Sequence, residues 1–254
     1  MSQSAGRFEI EQAKWDAYAH HSSGKVKPLG PDEDFTSYCA GDPLLAGVAD
    51  FLGDIRDQRV IEYGCGLGRL SILLARSGAR VSTFDISAGS VEVAREQARI
   101  HGVESQIDFV VSPAENLPYE DASFDIAFGK AVLHHVEPIA GAAELARVLR
   151  PGGRGAFSEP LGTNPVVKAV RDHLPYPHKH ERGADIPLRN SDVTAWMAPF
   201  SEAEITGIQL LSMVERGFGF KRSFPTLRRM DALLIGKWPG LWRLCRYGVL
   251  TVVR

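Results

Sequence analysis

The sequence predicts an α/β protein built on a doubly wound, mostly parallel sheet, with an N-terminal helical lid and an insertion after the fifth strand. Three observations carry this. From Arg59 onward, short apolar runs alternate with longer helical patterns, as in a chain of βαβ units. A glycine cluster, EYGCGLGR at 62–69, falls between the first apolar run and the helical pattern that follows it. An acidic residue, Asp85, closes the second apolar run about twenty residues further on, the spacing at which such folds grip a ribose.

The elements follow in order. Apolar and aromatic residues at Ile10, Ala13, Trp15, Ala17 and Tyr18 predict an N-terminal helix over about 9–21. The Gly-, Pro-, Ser- and Asp-rich stretch 22–43 reads as a connection. A second helical pattern starts at Pro43 and stops at Gly53. Strands are expected at 59–63, 80–84, 106–111, 124–129 and 154–158, with helices at about 68–77, 88–101 and 138–149. Ser87 is placed to cap the second of these helices and Gly102 to end it; Pro138 opens the third and Pro151-Gly152-Gly153 closes it. Residues 161–200 lose this regularity and include the aromatic and histidine stretch DHLPYPHKH at 172–180, which reads as a lid facing the substrate. Strand-like runs return at 205–214 and 247–253 and are expected to complete the sheet by antiparallel pairing. The 254 residues thus read as one domain: a helical cap at 1–55, a core at 56–160, the lid at 161–200 and the sheet's completion at 201–254.

Composition narrows the function. The chain is 44% hydrophobic and 24% charged, ordinary for a soluble α/β protein. A net charge of -2 gives no basic face for nucleic acid. Cys39, Cys65 and Cys245 are widely spaced and odd in number, so neither a disulfide framework nor a metal site is implied, and a reducing cytoplasm is the expected compartment. The N-terminus lacks the pattern of a secretory signal. No run is apolar for long enough to insert stably in a bilayer; the tail GLWRLCRYGVLTVVR, interrupted by Arg243 and Arg246, is either a terminal strand with its approach or an amphipathic surface segment.

The glycine cluster sets the ligand. Gly64, Gly66 and Gly68 permit a tight turn and a close backbone approach, and the amides at the next helix start favour a negative group. A dinucleotide fingerprint needs GxGxxG, and its third glycine position is Arg69 here, so the spacing is GxGxG. Glu62, at the end of the first strand, would repel a pyrophosphate and attract the ammonium of an amino acid. Asp85 can accept from both hydroxyls of an adenosine ribose. An adenosine carrying an amino-acid tail is S-adenosylmethionine.

On these residues the stretch from about Arg59 to Ser158 resembles the class I S-adenosylmethionine-dependent methyltransferases, and RVLRPGGRGAF at 147–157 matches the turn before that family's fifth strand. The resemblance implies that the loop SPAENLPYED (112–121) holds the adenine, with Pro113 where the family often has Asp, leaving the contact to the backbone around Ala114 and to Glu115. It implies further that Ile86 packs on the adenine, that backbone at Gly129 and Lys130 lines the methionine part, and that Tyr18 and Trp15 close over the cofactor. Ile86 also suits a core position, and packing of the first helix explains its aromatics equally well.

Methyl transfer from a sulfonium is an in-line displacement, for which some acceptors need a general base. FGKAVLHHVEP at 128–138 puts His134 and His135 near the mouth of the site. Adjacent residues on a helical turn point about 100° apart, so one of them faces the acceptor, with His135 favoured as base and His134 in reserve. Glu159 either lines the acceptor pocket, binding a basic amine, or makes a loop hydrogen bond. His173, Tyr176, His178 and His180 are candidates for the acceptor wall or a solvated loop. Quinone O-methyltransferases resemble the histidine region but carry metal-binding carboxylates that are missing here, so no metal is expected. The Asn/Asp-Pro-Pro-aromatic motif of nucleic-acid amine methyltransferases and the paired glutamates of protein arginine methyltransferases are missing too. The expectation is a methyltransferase for an O, N or C nucleophile of a small, hydrophobic or aromatic metabolite, releasing S-adenosylhomocysteine. The alternative is a protein that keeps the cofactor for binding or for a rearrangement.

Overall fold

In a computed structural model, which describes residues 3–26, 28–173, 186–218 and 224–254, the chain forms a seven-stranded sheet with helices on both faces. The helix α1 (Gln3–Ser22) is followed by α2 (Phe35–Gly41), a 3₁₀ turn at Pro43–Leu45 and α3 (Val48–Leu52). The core then runs β1 (Arg59–Tyr63), α4 (Arg69–Arg76), β2 (Arg80–Asp85), α5 (Ala88–Ile100), β3 (Ile107–Val111), β4 (Phe124–Lys130), α6 (Pro138–Val148) and β5 (Leu149–Pro160). Then come α7 (Pro165–His173), α8 (Asn190–Met197), β6 (Glu202–Ile208), α9 (Pro225–Lys237) and β7 (Tyr247–Val253).

The strand order is β3-β2-β1-β4-β5-β7-β6. The first five strands are parallel, and β7 inserts antiparallel between β5 and β6. This is the doubly wound, mostly parallel sheet the alternation predicts. Central strands of such a sheet are covered on both sides, and in β1 every residue after Arg59 is buried. Two cores result. One packs Val60, Ile126, Phe128 and Ala156 under α2 to α5; the other packs Ile61, Tyr63, Ala127 and Phe157 under α6, α8 and the C-terminal elements. Connections leave β1 toward β2 and return past it to β4, so the switch in winding opens a crevice at the carboxyl ends of β1 and β4.

The departures from the sequence reading have local causes. The connecting stretch contains α2, nucleated by a capping box in which Asp34 accepts from the Ser37 amide while Ser37 Oγ accepts from Asp34, and anchored by buried Phe35 and Cys39. The helix expected from Pro43 is split, because Gly47 takes φ +77° between the 3₁₀ turn and α3. The run 205–214 stops being a strand at Ile208: Gln209 adopts φ +61°, and Asp231 draws the next amides, of Leu210, Leu211 and Ser212, onto its carboxylate. The helix α9, which supplies Asp231, lies in a stretch the sequence reading left between strands. Of the two readings of the C-terminal tail, the structure has the strand with its approach: Val249, Leu250 and Val252 are buried in β7, and Cys245 is buried just before it. Among the described residues no helix is long and apolar enough to cross a membrane.

Candidate functional site

The crevice is built first by the loop after β1. Its three glycines all have left-handed backbones, φ +71°, +48° and +87° at 64, 66 and 68, and the turn is tied by hydrogen bonds from Cys65 N to Phe84 O and from Gly68 N to Cys65 O. At Gly66 a side chain would meet nothing within 4 Å, leaving an open cradle above the loop. Asp85, at the end of β2, turns its carboxylate onto this loop: Oδ2 accepts from Gly66 N at 3.0 Å and Oδ1 from Ser87 N at 3.0 Å. Each oxygen keeps a further lone pair for a ligand hydroxyl. Burial raises the Asp85 carboxyl above its ordinary value, while the amides of Ser87 and Gly66 hold it down in part.

Glu62 lies beneath the loop, 1% exposed. Its Oε2 accepts from Ser71 Oγ and Thr83 Oγ1, and its Oε1 is buried with no hydrogen-bond partner. Burial pushes this carboxyl up to about 8, against the pull of those two hydroxyls. A carboxyl raised on folding binds its proton more tightly in the native state, so its stabilising contribution is complete below its ordinary value near 4.5 and is lost as pH rises through about 8. Glu62→Gln should therefore flatten the fall in stability between about pH 4.5 and pH 8, read from urea midpoints. Parallel curves for variant and wild type would contradict the assignment.

On the adenine side, Ile86 is half-buried and belongs to neither core. Ala114 is buried, and Glu115 Oε1 accepts from Glu137 N at 2.8 Å, bridging to the start of α6. On the opposite side, Gly129 is buried near the carboxyl end of β4, where an added side chain would meet Phe157 and Val132. Lys130 forms an ion pair with Asp42 at 2.5 Å and reaches Tyr38 Oη at 3.4 Å. Burial works against the Lys130 charge, but the hydrogen bond to Asp42 leaves its ammonium above the ordinary value. Tyr38 also stacks under Arg69, which pairs with Glu33 at 2.6 Å.

The loop after β4 begins with Ala131 at φ +56° and a single 3₁₀ turn, Leu133–His135. The two histidine rings do not diverge as adjacent helical positions would; they lie against each other, centroids 4.0 Å apart and tilted by 41°. His134 turns inward, its side chain 3% exposed, and its Nδ1 lies 2.7 Å from Glu159 Oε2. Glu159 is 1% exposed and its Oε1 accepts from the amides of Val132 and Leu133 at 2.8 and 2.9 Å. Both its oxygens are thus engaged by the loop after β4, the second of the two readings open to it. His135 turns outward toward α1, with Trp15 edge-on at 5.5 Å and Glu11 Oε2 3.5 Å from its Nδ1.

The helix α1 therefore roofs the crevice, held at two points. Beyond the Glu11 and Trp15 contacts, Asp16 Oδ1 accepts from Ser87 Oγ at 2.5 Å and from Gly89 N at 3.0 Å, at the positive end of α5. Tyr18 stands half-exposed beside Trp15. Sequence reasoning missed Asp16, Tyr38 and Asp42, whose partners lie 71 to 92 residues away and leave no local spacing to detect. Tyr176, His178 and His180 lie outside the described residues, as does the side chain of His173. Among the described residues no three His, Cys, Asp or Glu converge on a metal position.

Residues 61–157, the span from β1 to β5 that carries these features, match the family model of the methyltransferase domain. The chain belongs to the class I S-adenosylmethionine-dependent methyltransferases of small-molecule type. It is similar to a ubiquinone biosynthesis O-methyltransferase of Bordetella avium, 31% identical over 65% of this chain and 67% of that one. It is also similar to methyltransferase GfsG of Streptomyces halstedii, 35% identical over 47% of this chain and 44% of the relative. The matched segment spans about half the length of most curated relatives. Among solved structures the [4+2]-cyclase SpnF shares the fold at a TM-score of 0.62, with 19% identity over 98% of this chain and 96% of that chain.

Proposed function

We propose that the protein transfers a methyl group from S-adenosylmethionine to an O, N or C nucleophile of a small, hydrophobic metabolite, releasing S-adenosylhomocysteine. The observation that carries this is the pairing of Asp85 with the open cradle at Gly66, one carboxylate fixed to the loop with lone pairs to spare. The residues present fit that cofactor. Asp85 would take the ribose hydroxyls; Gly64, Gly66 and Gly68 would lie against the amino-acid tail; Glu62, with a buried unpartnered oxygen, would place negative charge beneath its ammonium. Because burial holds the Glu62 proton up to about pH 8 in the unliganded protein, that charge would form as the ammonium arrives and the proton leaves. Ile86, Ala114 and Glu115 would border the adenine, Gly129 and Lys130 the methionine part, and Tyr18 the roof. Bound there, the cofactor supplies an electrophilic sulfonium methyl.

The chain's own residues then do three things. The helix α1 and the insertion at 161–200 exclude water and hold the acceptor in line, from which most of the rate derives. His135, at the outward end of the turn after β4, accepts the acceptor's proton. His134 and Glu159, buried behind it, act as positioning residues that fix the turn from which His135 projects. Support comes from this geometry and from family membership.

The test is formation of S-adenosylhomocysteine with a panel of phenolic, amine and carbon-acid acceptors. His135→Ala is expected to lower kcat by 100-fold or more, on the scale of general-base catalysis, with unchanged affinity for S-adenosylhomocysteine. Full turnover in that variant would remove His135 from the chemistry. Cofactor binding without product from any acceptor would favour the non-methylating reading.

A further inference from the structure

The helix α1 crosses the mouth of the crevice, and two adjacent residues reach its opposite walls. Trp15 meets His135, on the turn after β4, edge-on at 5.5 Å. Asp16 reaches the turn after β2, where its Oδ1 accepts from Ser87 Oγ at 2.5 Å and from Gly89 N at 3.0 Å. Ser87 also donates its backbone N–H to Asp85 Oδ1. One serine therefore ties α1 to the carboxylate that stands ready for a ribose.

Little apolar burial holds this helix down. Of its described side chains only Ala19 is buried, while Ile10 is 72% exposed and Tyr18 49%. A segment with so few buried apolar contacts opens at far lower cost than the sheet beneath it. Polar contacts then weigh heavily in its seating. Glu11 stands 3.5 Å from His135 Nδ1, whereas Asp16 makes two charge-assisted bonds of 3.0 Å or less. The two helices also approach closely at this point: a Cβ on Gly89 would stand 3.2 Å from Asp16 Oδ1 and 3.6 Å from Ala19 Cβ.

We propose that Asp16 is the latch of α1, a positioning residue that sets how fast S-adenosylhomocysteine leaves the crevice. This role rests on the cofactor reading proposed above. Labelled S-adenosylhomocysteine, chased with excess unlabelled ligand, should leave Asp16→Ala at least about tenfold faster than wild type, the scale of one hydrogen bond to a charged group. Alanine is the stronger helix former, so α1 itself is not weakened. Gly89→Val leaves Asp16 in place but wedges α1 away from α5, and valine is no poorer in a helix than glycine, so release should quicken there too. In ligand-free protein, hydrogen exchange should speed across α1 in both variants while β1 to β5 exchange as in wild type. Wild-type release from either variant, unchanged exchange in α1, or exchange quickened in the sheet as much as in α1 would overturn the latch. Failure of the wild type to bind S-adenosylhomocysteine would sink the cofactor reading, and this role with it. The exchange data, read without ligand, keep the two failures distinguishable.

Discussion

Glu159→Ala is expected to cost the fold about 3–5 kcal/mol, the sum expected when several buried hydrogen-bonding groups lose one shared carboxylate. The carboxylate accepts the amides of Val132 and Leu133 and faces His134 Nδ1, all within 2.9 Å, at 1% exposure. Alanine leaves two amides and a buried imidazole without that partner. Glu159→Gln should lose about half as much, because its Oε1 still accepts both amides while the contact with His134 is lost. Urea unfolding of the three proteins reads the difference directly. A loss below about 1 kcal/mol in the alanine variant, the level of an exposed ion pair, would show that the turn does not depend on the clamp.

The second large effect separates packing from ligand contact within one loop. Gly68→Ala would place a methyl 2.8 Å from Ala94 Cα and 3.0 Å from Ala94 O, on a backbone at φ +87°. Those atoms are main chain of α5 and cannot step aside. Strain and overpacking together predict a stability loss of about 2–4 kcal/mol and, with α4 displaced, loss of cofactor affinity. Gly66→Ala meets nothing within 4 Å, so it should cost only about 1 kcal/mol of backbone strain. Its methyl nevertheless fills the cradle, and affinity for S-adenosylhomocysteine should fall at least about tenfold. Stability lost at 68, and affinity lost at 66 with stability kept, is the expected pattern. Equal effects on both quantities at both positions would mean that the loop is only a turn.

Much of the fold was legible because it is written locally. Apolar runs of strand length and the Ser87 cap each depend on neighbours in sequence, and each lies where the alternation put it. Pro151-Gly152-Gly153, expected as a turn that closes the helix, instead lies within β5 at an irregularity in its pairing with β4, and α6 ends before it at Val148. The glycine loop and Asp85 were legible for the same reason. What sequence could not supply was pairing across distance. The buried position of Glu159 follows from amides 26 and 27 residues earlier, and the docking of Asp16 from a helix start more than 70 residues later. The helices α2 and α9 were hidden by composition, the first among turn-forming residues that also cap helices, the second between two strand-like runs.

Calorimetric titration of the protein with S-adenosylhomocysteine and, separately, NADH, in wild type and Asp85→Ala, reads the cofactor and the role of Asp85 together. S-adenosylhomocysteine alone should bind, at least about 100-fold more weakly when the carboxylate that takes two ribose hydroxyls is removed, each charge-assisted bond contributing about 1.5–3 kcal/mol. Binding of NADH in its place, or S-adenosylhomocysteine affinity indifferent to Asp85, would contradict the cofactor assignment.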